Sequence, residues 1–445
     1  MSFAQDSIRT FFIRSSLIFL NLLGGIICAR WLGPEGVGII ALSALLQNFV
    51  MRFGNLGFGS GFSFFIAQGR ITGREVLTLA FGLCAGIGLL SCITLLLIWK
   101  LEFSPWRNMP PIIFYLSLVI IFPFFMNYLL SMILSGHLEI KITNNSEILR
   151  TIIFLSGLVC LVIFLRWGIL GAVFSDIMAQ CGIFCYLLRH IQKREDMPVM
   201  GKGEGNKTKL LLEIWKYGRW NYLILFFNFY IGELPIMVLS YFFSYNIVGF
   251  FSMGRGLMEK TRILPNAFSQ VLFPYTAAST ETVAVNRTNI LCRNFLVLSC
   301  GMVIILAVIL KPVIMLLYGE AFLPVIPVFY ALIPAIIFWP LSQFLTVHVA
   351  GFGNPQNVLL RNLIALPGCI VACLIFIPMW GAVGAALSVS AVYLILASVS
   401  LYVYKKSTGA PLSEILFIRA EDLAYFRGIL NKLPIRLFRS QASQP

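Results

Sequence analysis

Long apolar runs recur from one end of the chain to the other, separated by short polar, Gly- or Pro-containing segments. A bilayer crossing takes roughly 20 mostly apolar residues, and the pattern supplies about twelve such runs. They are expected near 11–29, 37–57, 76–99, 111–133, 148–166, 168–188, 217–241, 247–272, 290–310, 322–349, 359–379 and 381–403. The fold class read from this is an all-α polytopic membrane protein.

Polar residues inside these runs fall into stripes. In the eighth run Ser252, Arg255, Glu259, Arg262, Asn266 and Ser269 are spaced three, four, three, four and three apart, which puts them on one helix face. Lys260 lies off that stripe. Glu259 is placed to pair with Arg255 or Arg262, but the cations outnumber this one carboxylate, so the face reads as net cationic. The first run carries Ser7, Thr10, Arg14, Asn21, Gly24 and Cys28 on one side, and the second carries Asn48, Arg52, Asn55 and Gly59. In the seventh, Tyr222, Phe226, Phe229 and Glu233 share a side, with Pro235 loosening the helix beside the acid. Asp176, in the sixth, is the other acid placed inside the bilayer.

Each stripe has two readings. Arg14 and Arg52 either face a cavity or snorkel to headgroups, and Arg255, Glu259 and Arg262 are either a cargo surface or a structural salt-bridge lock. Trp220, Tyr222, Phe226 and Trp339 either offer stacking surfaces to a path or simply pack. The prolines Pro324, Pro327, Pro334 and Pro340 would let the tenth helix bend.

The chain repeats itself. VGIIAL from Val37 matches VGFFSM from Val248, WGILGAVFS from Trp167 matches WGAVGAALS from Trp380, and Ser135-Gly136 matches Ala350-Gly351. The shift carries six helices onto six, so the repeats are parallel about an axis normal to the membrane, with a substrate path expected between them. The expected organisation is a six-helix bundle over 1–188, a basic linker over 189–216, a second six-helix bundle over 217–404 and a basic amphipathic tail over 405–445. That tail is expected to lie on the anionic inner leaflet.

Composition agrees: 445 residues, 59% hydrophobic and 11% charged, with a mean hydropathy of +0.89. The cations, Arg361 among them, concentrate in the segments on one side, so both termini are expected in the cytoplasm; the net charge of +15 is then accounted for by topology and lipid contact, with no need for nucleic acid. The CxxxC pairs Cys181/Cys185 and Cys369/Cys373 sit one turn apart in apolar runs and read as packing residues without a metal. There is no Gly-rich phosphate loop, metal-ligand spacing or nucleophile elbow, and the outside loops are short, so an enzyme is not expected.

ARWLGPEGVGIIALSAL, FGNLGFGSGFSFFIAQG, VGFFSMGRGLMEKTRILPNAFSQVLFP, LLYGEAFLPVIPVF and WGAVGAALSVSAVY, in this order, resemble the polysaccharide-transporter branch of the multidrug/oligosaccharidyl-lipid/polysaccharide (MOP) exporter superfamily. These are bacterial O-antigen or oligosaccharide repeat-unit flippases, and the resemblance runs to about Tyr404. It implies a two-lobed, MATE-like transporter in the bacterial inner membrane that moves undecaprenyl-diphosphate-linked sugar units to the periplasmic leaflet by alternating access. It further implies H⁺ or Na⁺ coupling with no other cofactor, and a polymerase and chain-length machinery as neighbours. Arg14, Arg52, Arg255, Arg262 and Lys260 would then meet the diphosphate, with Glu233, Glu259 and Asp176 for ion coupling or sugar contact. Asn21, Asn48, Asn55, Asn266, Trp220 and Tyr222 would complete the cavity. The alternatives are a MATE-like exporter of small solutes and a lipid II flippase; residues 405–445 lack the apolar runs for the latter's usual extra helices.

Overall fold

The structure is a computed structural model that describes residues 3–70, 73–101, 104–193, 207–352, 355–417 and 419. Side chains are described for these except 3–15, 73–75, 207–211, 217, 220, 221 and 355. Every regular element among them is helical, as expected where hydrocarbon leaves backbone polar groups no partner but the helix itself.

The helices are α1 (Phe3–Gly54), α2 (Phe58–Ala67), α3 (Gly73–Trp99), α4 (Pro111–Gly136) and α5 (Ile140–Gly157), which runs on as a π-helix over Leu158–Phe164. Then come α6 (Gly168–Gln192), α7 (Lys207–Phe242), α8 (Tyr245–Thr261), α9 (Ile263–Ala278) and α10 (Glu281–Leu317). After a 3₁₀ turn at Glu320–Phe322 follow α11 (Val325–Ala331), α12 (Ile333–Gly351), α13 (Pro355–Thr408) and α14 (Leu412–Leu416). Among the described residues nine helices are long and apolar enough to cross a membrane, so the chain is a multi-pass membrane protein. The spans Ser16–Gly54 and Gln356–Thr408 are 39 and 53 residues long, well beyond one crossing at about 1.5 Å per residue.

Where α1 and α13 exceed one crossing, each is bent at a glycine. Gly33 in α1 has φ 67° and Gly381 in α13 has φ 55°, the left-handed region that a side chain disfavours. The turn expected between the first and second runs is therefore a kink, reinforced by Pro34. The internal repeat is visible at the same level. Gly168 has φ 59°, matching Gly381, and in each copy a serine seven residues on donates to the carbonyl of the glycine four before it. The bonds are Ser175 to Gly171 at 2.7 Å and Ser388 to Gly384 at 2.9 Å. Gly136 of α4 packs on the Ser63 carbonyl of α2, and Gly351 of α12 packs on Thr276 and Phe273 of α9, so α2 with α4 and α9 with α12 are equivalent pairs.

That equivalence exposes what the hydropathy pattern missed. The second helix ends at Gly54 and a separate α2 follows, and the eighth is broken between Thr261 and Ile263 where a continuous helix over 247–272 was expected. Pro265 supplies the reason for the second break: it has no N–H to give Thr261, and its ring opposes that carbonyl. The tenth helix is likewise divided into α11 and α12.

The chain forms two compact units. The first runs to Lys260 and adds Ile309–Leu332 and Asn362–Val392; the second comprises Thr261–Val308, Ile333–Arg361 and the chain from Tyr393. Phe62, Phe125, Leu130, Ile133 and Leu187 are in the core of the first. In the second, Phe295, Phe344, Leu345, Tyr404 and Ile415 pack together, the last bringing α14 onto the unit, where the Glu414 carbonyl accepts from Arg293 at 2.7 Å. The rest of the expected amphipathic tail lies outside the described residues.

Candidate functional site

In the first unit α8 turns Phe251 and Met258 inward, and Gly254 lets the helix approach Val328 of α11. This rotation aims Arg255 at α7. Its guanidinium donates from Nη1 and Nη2 to the two oxygens of Glu233 at 2.9 and 2.8 Å, and from Nε to Glu259 at 2.9 Å. Arg255 and Glu233 are mostly covered, whereas the Glu259 side chain is 47% exposed. A planar fork gripping a carboxylate with two parallel bonds is the strongest ion-pair geometry available to arginine. The stripe alone set one acid against the cations; the fold adds Glu233 from α7, so Arg255 answers to two acids. Lys260 donates to the Gly256 carbonyl of its own helix at 3.3 Å.

A second polar cluster surrounds Asp176. Gln47 donates to it at 2.9 Å and Gln180 at 3.5 Å, while Arg150 stands 4.0 Å away. Asn127 extends the network by donating to the carbonyl and side-chain oxygens of Gln180 at 2.9 and 3.1 Å. Sequence reasoning found Asp176 and missed Gln47, Asn127 and Gln180, which come from three different helices and are brought together only by the fold.

Several residues of the stripes in the first two runs have local contacts. Asn55 is buried, donates to Tyr128 at 2.9 Å and accepts the Gly59 N–H at 3.0 Å, fixing the start of α2. Gly24 packs on Leu155 and Phe154 of α5, and Cys28 joins the core with Leu158 and Ala172. Asn21 is exposed, Asn48 half-buried, and Arg52 half-buried in the last turn of α1. Tyr222 belongs to an aromatic group with Phe226, Tyr230, Phe53 and Phe49, whose ring centroids are 4.3–6.0 Å apart. The side chains of Arg14 and Trp220 lie outside the described residues.

In the second unit Arg262 occupies the position before α9. Its guanidinium carbon lies 4.9 Å from the ring centres of both Trp339 and Tyr393. Its Nε is buried and has no hydrogen-bond partner among the described residues. Arg262, Ser299, Trp339 and Pro340 line a small pocket. Asn266, one turn on, is exposed. Arg361, in the second turn of α13, donates to Thr346 and, at 3.3 Å, to Ser342; the Ser400 hydroxyl is 3.4 Å from both. From sequence Arg361 registered only as a topology cation.

His348 is buried with Nδ1 2.8 Å from the Thr288 hydroxyl, a packing arrangement. Among the described residues no three His, Cys, Asp or Glu are gathered as a metal site.

Comparison with known proteins bears on what these clusters serve. A family model described as polysaccharide biosynthesis protein matches residues 27–327. Comparison with curated proteins gives no match. Among solved structures, an inward-facing multidrug-resistance MATE family transporter of the MOP superfamily is 15% identical with a TM-score of 0.68, covering 90% of this chain and 98% of that one. The lipid II flippase MurJ in an inward closed conformation is 15% identical with a TM-score of 0.62, covering 96% and 93%. A MOP superfamily transporter from Pyrococcus furiosus, described as having a binding pocket of reverse polarity, is 15% identical with a TM-score of 0.62, covering 91% and 94%. At such identity the likeness is one of fold: an all-helical membrane transporter fold of the MOP type.

Proposed function

Because this chain belongs to the polysaccharide biosynthesis protein family, we propose that it is a flippase. Its cargo in this reading is an undecaprenyl-diphosphate-linked oligosaccharide, carried by alternating access from the cytoplasmic to the periplasmic leaflet of a bacterial inner membrane. The observation that supports it most is Arg262. A guanidinium held between two aromatic rings, with a buried Nε left over, is a cation prepared for an oxyanion. Carrying a diphosphate through hydrocarbon requires its water to be replaced by such donors.

Arg255 has a different part in this reading. With Glu233 and Glu259 bound to it, it meets an anion only by exchanging a carboxylate, and Glu259, the more exposed and singly bonded, is the one to yield. A carboxylate released in this way is a natural place for H⁺ or Na⁺, and the Asp176 cluster is a second. A drug exporter would be expected to turn unpaired carboxylates toward its cargo, whereas Glu233 is held by both oxygens.

Deletion of the gene in its host, with leaflet-resolved measurement of undecaprenyl-linked oligosaccharide, tests the reading. Completed units trapped on the cytoplasmic leaflet and released by the intact gene are expected. Units reaching the outer leaflet without the protein would overturn it in favour of a solute exporter.

A further inference from the structure

We infer that Asn127 is the positioning residue that sets which ion the Asp176 cluster of the first unit takes. By fixing the side-chain amide of Gln180 it surrounds the carboxylate with hydrogen-bond donors alone, which closes the cluster to Na⁺ and other metal cations and leaves H⁺. The inference rests on the reading of Asp176 as an ion-coupling residue and names the ion.

The orientations start from a backbone carbonyl. That of Gln180 can only accept, so the Asn127 atom 2.9 Å from it is Nδ2, and the amide has no flipped alternative. The same Nδ2 lies 3.1 Å from the end of the Gln180 side chain, which must therefore turn Oε1 toward Asn127. Nε2 is what remains for Asp176, and it donates to Oδ1 at 3.5 Å. Both amides are buried, which leaves neither of them solvent in which to turn. Gln47, from α1, donates to Oδ2 at 2.9 Å, and Arg150, from α5, brings its guanidinium to 4.0 Å from Oδ1. Among the described residues every polar side chain that reaches the carboxylate is thus a donor. Arg150 is the one charged group among them at ion-pair distance, and neither α4 nor the π-helix over Leu158–Phe164 carries a charged residue.

A hard metal cation needs several oxygens at once, and membrane transporters supply them in part from the carbonyls of unwound helix. Here α6 is unbroken through Asp176, so its carbonyls stay within the helix, and Gln47 and Gln180 both turn nitrogen to the carboxylate. A metal cation at Oδ1 would also face Arg150. A proton needs only one lone pair. It fits on Oδ1, whose contacts are the longer ones, and the bond from Gln47 to Oδ2 survives it. Arg150, half-exposed, then loses its partner and is free to turn away.

Gln180→Glu adds an oxygen at nearly constant shape: one carboxylate oxygen still accepts from Asn127 and the other stands where Nε2 stood. Asn127→Leu instead frees the Gln180 amide to turn its oxygen to Asp176. Binding of radiolabelled Na⁺ is measured on the protein in nanodiscs, and transport in proteoliposomes under an imposed H⁺ or Na⁺ gradient, for wild type, both variants and Asp176→Asn. Wild type should show no Na⁺ binding that Asp176→Asn removes, and should respond to the H⁺ gradient alone. Each variant should gain Na⁺ binding on the order of tenfold above wild type, lost again when Asp176→Asn is added. Loosened packing by itself creates no such binding. Asp176-dependent Na⁺ binding by wild type overturns the inference and leaves Asp176 a coupling residue. Folded variants that gain no Na⁺ binding overturn it equally, and the wild-type measurement decides even where a variant does not fold. If the H⁺ gradient stimulates Asp176→Asn as it does wild type, the coupling reading falls instead.

Discussion

Gly38 and Gly249, equivalent glycines of the internal repeat, meet backbone to backbone in the first unit. A Cβ on Gly38 would run into the Tyr245 carbonyl, and one on Gly249 into the Pro34 carbonyl. The 211-residue offset that relates the two glycines also relates Pro34 to Tyr245, so the contact is symmetric about the repeat axis. The first half of the chain here touches the second with no side chain between.

A contact this close has no room to adjust, so Gly249→Leu must force α8 away from α1. The variant is expected to reach the membrane but lose transport by more than about tenfold, as overpacking at a site without slack costs about 1–3 kcal/mol. Gly256→Leu, on the same helix with open space around it, is the control and should transport normally. Equal activity of the two in a complementation assay, at matched abundance, would show that the contact does not matter to the cycle.

The bidentate pair between Glu233 and Arg255 leads to a stability prediction. Removing either partner leaves the other mostly covered and short of its bonds. Glu233→Gln should therefore destabilise the protein by about 1–3 kcal/mol, below the value for a fully buried pair because each side chain is about a fifth exposed. Glu259→Gln should cost less than about 1 kcal/mol, since that carboxylate is half in solvent. Thermal unfolding in detergent gives both numbers, and a double-mutant cycle of Glu233 with Arg255 should show coupling where Glu259 shows little.

The same pair marks the limit of what the sequence discloses. Apolar runs are legible because transfer to hydrocarbon is a property of each segment alone, and the repeat is legible because Gly38, Gly168 and Gly381 are required by close approach or positive φ. The break at Arg262 was also written in the chain, in Pro265, but hydropathy averages over it. Pairings between helices are not local: nothing around Glu233 names Arg255, and nothing around Arg361 names Ser342 or Ser400. Helical spacing put Gly24, Cys28 and Asn55 on polar stripes but could not say what each touches: Gly24 packs on α5, Cys28 joins a core cluster, and Asn55 holds Tyr128 and the Gly59 N–H.

Asp176 tests the ion-coupling proposal. Asn at this position still accepts from Gln47, so Asp176→Asn should change stability by less than about 1 kcal/mol. It removes the charge, however, and should lower gradient-driven transport about tenfold while leaving binding of the lipid-linked cargo intact. Proteoliposomes with and without an imposed H⁺ or Na⁺ gradient distinguish the outcomes. Wild-type stimulation by the gradient in the variant would remove Asp176 from the coupling machinery.

Pro265 makes the final prediction, because it joins the backbone to Arg262. With an N–H restored, Pro265→Ala permits helix to continue through Thr261 and Arg262, a change of about 3 kcal/mol in local helix preference. Arg262 has φ −77° and ψ −9°, so a regular helix changes its ψ by roughly 30°, which shifts the guanidinium relative to Trp339 and Tyr393. The variant should therefore be no less stable than wild type and yet carry cargo poorly, a combination that simple misfolding does not produce. Loss of transport together with loss of thermal stability would instead assign Pro265 a packing role, in keeping with its buried position in α9.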